Sequence, residues 1–153
     1  MTTTMPPPVP VDAAISTLEI IRDQRINAPL AKTWDTLLAI LGPLNEPMPG
    51  NPMPMKLEPW PGGRWFRDLG NNTGHFWAHV QVIKPPALLE LCGPLFMSYP
   101  GTNHVQYRLA AEGAVTTIRL VHRAIGVIPA DHKTGVVTGW QNELDQLKKL
   151  AER

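Results

Sequence analysis

At 153 residues, with 43% apolar and 18% charged residues, the chain is long enough for one domain with a sizeable core and too apolar to be disordered. Fourteen basic residues against thirteen acidic ones leave a net charge of +1, and nothing gathers the basic ones into a stripe, so charge-driven nucleic-acid binding is not expected. No apolar run is long enough to span a membrane, and the start, Met1-Thr2-Thr3-Thr4-Met5, lacks the charged and apolar regions of a signal peptide. The single cysteine, Cys92, has no partner for a disulfide, so the expected setting is reducing and cytoplasmic.

Residues 1–13, with Pro6, Pro7, Pro8 and Pro10, read as a flexible tail, and 14–153 as a single domain. A strand is expected over 15–26, where Leu18, Ile20 and Ile26 alternate with Glu19 and Arg25, although Ile21 and Gln24 break the pattern. Asn27-Ala28-Pro29 starts a helix, with proline expected at its first position. Trp34, Leu37, Leu38 and Leu41 then share one helical face, and Gly42-Pro43 ends it. Seven of the seventeen prolines fall between Pro43 and Pro61. Each removes a donor and restricts its neighbour, so 43–54 is expected as an irregular loop.

Met55–Pro59 reads as a short strand, Pro61-Gly62-Gly63 as a turn and Arg64–Asp68 as the return strand. After a second turn at Gly70-Asn71-Asn72, the span His75–Lys84 alternates. Phe76, Ala78, Val80 and Val82 are expected inward; His75, Trp77, His79 and Gln81 form the outer row. That outer row is a candidate homodimer surface. Leu88–Cys92, His104–Ala110 and Thr116–Ile125 complete the strands, with Val105, Tyr107 and Leu109 on one face and Ile118, Leu120, His122 and Ala124 on another. A closing helix, capped by Ala130 or Asp131, carries Val136, Val137, Trp140, Leu144 and Leu147 at helical spacing. Short links between strands imply an antiparallel sheet, and the amphipathic closing helix must bury its face upon it. The fold class is α+β.

Several motifs recur together in this order: Ile26-Asn27-Ala28-Pro29 with Trp34-Asp35, then Pro61-Gly62-Gly63-Arg64, then His79-Val80-Gln81-Val82-Ile83-Lys84-Pro85-Pro86 with Leu88-Leu89, then Gly139-Trp140 with Leu144 and Leu147. So arranged, the chain resembles the START and birch-pollen-allergen-like superfamily (SRPBCC) over residues 15–150. Its nearest likeness is to the branch homologous to activators of a heat-shock chaperone ATPase (AHSA-type). The resemblance implies a helix-grip: a curved antiparallel sheet of six or seven strands wrapped around the long C-terminal helix, with a cavity between them. It implies an apolar or aromatic small-molecule ligand, lipid-, hormone- or polyketide-like. An enzyme of the cyclase, dehydratase or hydrolase kind is the alternative, and a chaperone-interaction module ranks last.

Candidate cavity residues are Met55, Glu58, Trp65 and Tyr107 on the strand side, with Leu120 and His122. Val136 and Trp140 face them from the closing helix. His122 is the one polar group that alternation places inside. It is either a satisfied core histidine or a polar handle for the ligand, and in the enzyme reading it is the acid or base, helped by Glu58 or Tyr107. Glu58 is expected to pair with Arg64 or Arg67 across its hairpin. Gly135 and Gly139, one turn apart, would let the helix approach the sheet or a ligand. Met48, Met53, Met55 and Met97 are assigned to the cavity mouth. No cofactor or metal is expected: the histidines lack ligand spacing, and His75 and His79 lie about 13 Å apart along a strand.

Overall fold

The computed structural model describes residues 3–8 and 14–153. Of the expected tail, 3–8 is exposed and without regular structure, and the rest lies outside the described residues. The chain runs β1 (Ser16–Ile26), α1 (Leu30–Leu41), β2 (Lys56–Leu57), β3 (Arg64–Gly70), β4 (Thr73–Lys84), β5 (Leu88–Gly93), β6 (Gly101–Glu112), β7 (Val115–Gly126) and α2 (Ala130–Ala151). The strands form one antiparallel sheet in the order β1-β7-β6-β5-β4-β3-β2. With α2 against it, this is a helix-grip α+β fold. Among the described residues no helix is long and apolar enough to cross a membrane.

In β1 the alternation is unbroken: Ile20 and Ile26 are buried, and Ile21, where the pattern was expected to fail, points outward. Pro29 stands one residue earlier than expected, at the N-cap of α1, and the N-cap of α2 is Pro129 rather than Ala130 or Asp131. The proline-rich loop after α1 is closed by its few available donors. Asn45 and Met53 exchange hydrogen bonds, the Met53 amide to Asn45 O at 2.8 Å and Asn45 Nδ2 to Met53 O at 3.0 Å, while the Met55 amide reaches Gly42 O at 2.9 Å. The β3–β4 hairpin turns on Asn71 and Asn72, both at positive φ (53° and 58°), as a tight turn between twisted strands requires.

β4 departs from simple alternation. Trp65 pairs with Ala78, but Phe66 pairs with Phe76, so Trp77 is an extra residue opposite the β3 ladder. This bulge turns Trp77 inward beside Ala78 and leaves Phe76 exposed, the reverse of the expected arrangement. The candidate dimer row therefore loses its tryptophan. A second irregularity between Val80 and Val82 sends Ile83 rather than Val82 against the core. The Trp77 carbonyl freed by the bulge accepts from the Leu95 amide at 2.7 Å. Close approach here needs Gly93, where a Cβ would stand 2.4 Å from that oxygen.

The core is one cluster in which Trp34, Leu37 and Leu41 of α1 meet Val105, Tyr107, Leu109, Ile118 and Leu120 of the sheet and Leu144, Leu147 and Ala151 of α2. A chain of hydrogen bonds crosses it. Trp140 Nε1 donates to His122 Nδ1 at 2.9 Å; an indole only donates, so His122 carries its proton on Nε2 and donates it to Asn103 Oδ1 at 2.7 Å. Asn103 Nδ2 in turn donates to the carbonyls of Gly93 and Pro94. His122 is fully buried, and both ring nitrogens are satisfied. Asn103→Leu would leave the His122 Nε2 proton unpaired in the core. It should cost about 1–3 kcal/mol in a urea unfolding titration; unchanged stability would show that the chain of bonds does not hold the core.

Candidate functional site

Where the C-terminal half of α2 meets the sheet, the space is filled. Toward its N-terminal half it is not. A cavity of about 430 Å³ opens between α2, the inward ends of β3 and β4, the loop after α1 and the segment after β5. Its walls are aromatic: Trp65, Trp77, Phe96 and Trp140. Trp65 is fixed by its indole N–H, which donates to Leu41 O at 2.7 Å. Trp77 stands edge-on to it at 5.0 Å, and Phe96 edge-on to Trp77 at 5.6 Å, so neighbouring rings form corners rather than a stack.

The floor is helix α2. His132, Gly135, Val136, Gly139, Trp140, Glu143 and Gln146 line the cavity. A Cβ placed on Gly135 or Gly139 would meet nothing within 4 Å. These glycines do not bring the helix close to the sheet; they leave the floor bare. The loop after α1 forms the roof through Asn45, Glu46, Pro47 and Met53, and α2 holds it there, Asn142 donating to Pro47 O and Gln146 to Leu44 O. At the N-terminal end of α2, His132 hydrogen-bonds Tyr99 through Nδ1 and packs edge-on against Phe96.

One carboxyl group enters this apolar space. Glu143 Oε1 accepts a 2.5 Å hydrogen bond from the Tyr107 hydroxyl on β6. Burial lifts Glu143 from 4.5 to about 7, against the smaller, opposite pull of the Tyr107 bond. Tyr107 is pushed well above its ordinary value, by burial first and then by the carboxylate beside it. His122 is lowered from 6.5 to about 4 by burial and is neutral at physiological pH.

Of the expected cavity residues, Trp65, Val136 and Trp140 line the space, and Tyr107 reaches it through Glu143. Leu120 and His122 are buried in the sheet outside the lining, with His122 behind Trp140. Met55 and Glu58 border a separate surface groove beside α1. Glu58 pairs with Arg64 across its hairpin at 2.8 Å, which holds the carboxylate below its usual range, while Arg67 bonds Pro54 O. Met53 is at the roof; Met97 belongs to a small satellite cluster with Ala124 and Ile128. Cys92, at the end of β5, is a free and exposed thiol. Among the described residues no group of His, Cys, Asp and Glu could hold a metal ion.

Glu143 was missed. The readable signal was a second stripe on α2, His132, Gly135, Gly139, Glu143 and Gln146, spaced by three or four residues alongside the apolar one.

The family described as activator of Hsp90 ATPase homolog 1-like protein matches residues 27–152. The chain belongs to this family. No curated protein matches it in sequence. Among solved structures it is similar to the protein CV1439 from Chromobacterium violaceum, at 20% identity and a TM-score of 0.65, over 88% of this chain and 97% of that one. CalU16 from Micromonospora echinospora is similar at 21% identity and a TM-score of 0.60, over 94% and 86%. The di-domain ARO/CYC protein BexL of the BE-7585A biosynthetic pathway is similar at 19% identity and 0.63, over 90% of this chain and 50% of that one. At these identities the likeness is one of fold, and activity has to be argued from the site.

The two buried titratable groups give opposite pH dependences. Glu143 has its value raised from 4.5 to about 7, so its contribution to stability is fully present below pH 4.5 and is lost as pH rises through 7. His122 has its value lowered from 6.5 to about 4, so its contribution is present above pH 6.5 and is lost as pH falls through 4. Between these limits the two slopes oppose. Glu143→Gln, whose amide oxygen still accepts from Tyr107, removes only the first. The stability of this variant minus that of the parent should climb with pH between about 4.5 and 7, by up to about 1.4 kcal/mol per pH unit. Denaturant titrations at a series of pH values measure the difference, and a flat difference means that Glu143 ionises like an exposed glutamate.

Proposed function

We propose that this chain binds an apolar, aromatic small molecule in the cavity above α2. The observation that carries this reading is the bare floor: Gly135 and Gly139 face open space inside a helix that would be more stable with alanine at either position, by about 1 kcal/mol each. Helix interiors that accept that cost without gaining a close packing contact call for another explanation, and room for a ligand supplies one. Aromatic walls with a few convergent polar groups are the usual make-up of such sites, and the cavity volume is of the size that takes a small organic molecule. The AHSA-type family and the ARO/CYC likeness are compatible with this reading.

One observation favours a second reading, an acid–base enzyme. Glu143, lifted to about 7 and bonded to Tyr107, could take or give a proton near neutral pH, a more suitable group for that role than the enclosed and neutral His122. Turnover of a bound molecule, lost in Glu143→Gln, would separate catalysis from binding.

Gly139→Leu tests the binding reading. A Cβ at this position meets no atom within 4 Å, and helix propensity favours leucine over glycine, so the variant should fold with stability equal to the parent or up to about 1 kcal/mol higher. It should lose the fluorescence enhancement of phenylnaphthylamine that the parent gives. If the leucine variant binds this probe as well as the parent does, the cavity above α2 is not the site.

A further inference from the structure

The charges around the cavity are one-sided. Two carboxylates line it, Glu143 from the floor and Glu46 from the roof, together with His132, and no lysine or arginine does. Glu143 uses one oxygen, Oε1, for Tyr107. Its other oxygen, Oε2, has no hydrogen-bond partner among the described residues and is not an enclosed unpartnered atom, so it is an accessible acceptor on a residue that lines the cavity. The walls around this oxygen are π faces and edges. Trp65, Trp77 and Phe96 meet nearly at right angles, at 81° and 74°, and Trp140 closes the side nearest Glu143 on the helix.

We propose that the ligand is an aromatic or apolar organic cation, an ammonium group carried on a hydrophobic body, whose charged nitrogen pairs with Glu143 Oε2 inside the aromatic walls. This rests on the cavity-binding reading above and names its ligand class. Two physical effects converge on it. A desolvated cation is attracted to the faces of tryptophan and phenylalanine rings, and a charge-assisted bond to a carboxylate is about twice as strong as a neutral one. An anionic ligand would meet two carboxylates and no counter-charge. A purely hydrocarbon ligand would leave the Glu143 carboxyl facing an apolar surface, with its free oxygen unpaired. Against the anion and the hydrocarbon, the cation both pairs with the free oxygen and uses the rings, and its charge makes that bond stronger than a neutral donor's. Tyr107 is a positioning residue here: its hydroxyl occupies Oε1 and so leaves Oε2 as the oxygen that faces the ligand.

Three probes of one shape test this by isothermal titration calorimetry of the full chain at neutral pH: naphthylmethylammonium, ethylnaphthalene and naphthoate. The cation should bind at least about tenfold more tightly than the neutral isostere, and the anion more weakly than either. In Glu143→Gln, which keeps an acceptor for Tyr107 and removes the charge, the preference for the cation should vanish while ethylnaphthalene binds at least as tightly as to the parent. Neutral and cationic probes of equal affinity in the parent would overturn the inference and leave the binding reading standing. A cation preference that survives Glu143→Gln would overturn it too, since another group would then be reading the charge. Failure of all three probes to bind would remove both readings.

Discussion

The Trp140–His122–Asn103 chain of hydrogen bonds fixes the distance between helix and sheet. It links the middle of α2 to β7, then to β6, then to the carbonyls at the end of β5. Every donor in it has one good acceptor, so neither helix nor sheet can slide without exposing an unpaired group in a dry core. From that anchor toward the C-terminus, Leu144, Leu147 and Ala151 pack solidly, and Glu152 accepts from the Asn27 amide to hold the far end. From the same anchor toward the N-terminus Val136 still packs into the core, but the stripe beside it carries glycines instead of packing side chains. The cavity is the part of the interface that the anchor spaces but no side chain fills.

The second constraint is the bulge at Trp77. Without it, Trp77 would project from the outer face of the sheet. The extra residue turns it inward beside Trp65, and the carbonyl it frees is taken by Leu95 only because Gly93 allows the backbones to meet. Phe96 then falls against Trp77. One local irregularity thus supplies two of the four aromatic walls. A functional cavity assembled at a bulge is a recurrent use of that device.

These features set what could be read from the sequence. Alternation in β6 and β7 was legible, down to the burial of Tyr107, Leu120 and His122, because a strand with one buried face leaves a period of two in its residues, whereas β1 reads as broken at Ile21 and Gln24 although the structure keeps the alternation there. β4 was misread because a bulge carries no reliable mark in a single sequence: Trp77 and Phe76 are both aromatic, and only the register against β3 says which turns inward. His122 could be placed inside but its purpose could not be seen, since its partners lie 18 and 19 residues away on other elements. Met55 reads as part of the mouth and Glu58 as a polar grip; instead Met55 packs into the core beside a separate groove, and Glu58 pairs with Arg64 at the edge of that groove. The likeness to the SRPBCC superfamily conveyed the helix-grip, and nothing in it pointed to Glu143.

The polar economy of α2 explains that omission and gives it meaning. An apolar stripe, Val136, Trp140, Leu144 and Leu147, announces a core-facing helix, and a glutamate next to it reads as the start of the solvated face. Here the adjacent stripe lines a cavity that opens to solvent at Gly135, and its members are neither apolar nor strongly charged as a set: a histidine, two glycines, one glutamate, one glutamine. Gln146 and Asn142 spend their amides on holding the roof. His132 spends its ring on Tyr99. The glycines contribute space. Glu143 keeps one carboxylate oxygen without a partner among the described residues, and it does so where burial has already raised the cost of its charge. A fold selected only for stability would place glutamine at that position, since it still accepts from Tyr107 and avoids the desolvation of a carboxylate. The residue that the helix could most easily do without is the one that gives the cavity its chemical sign.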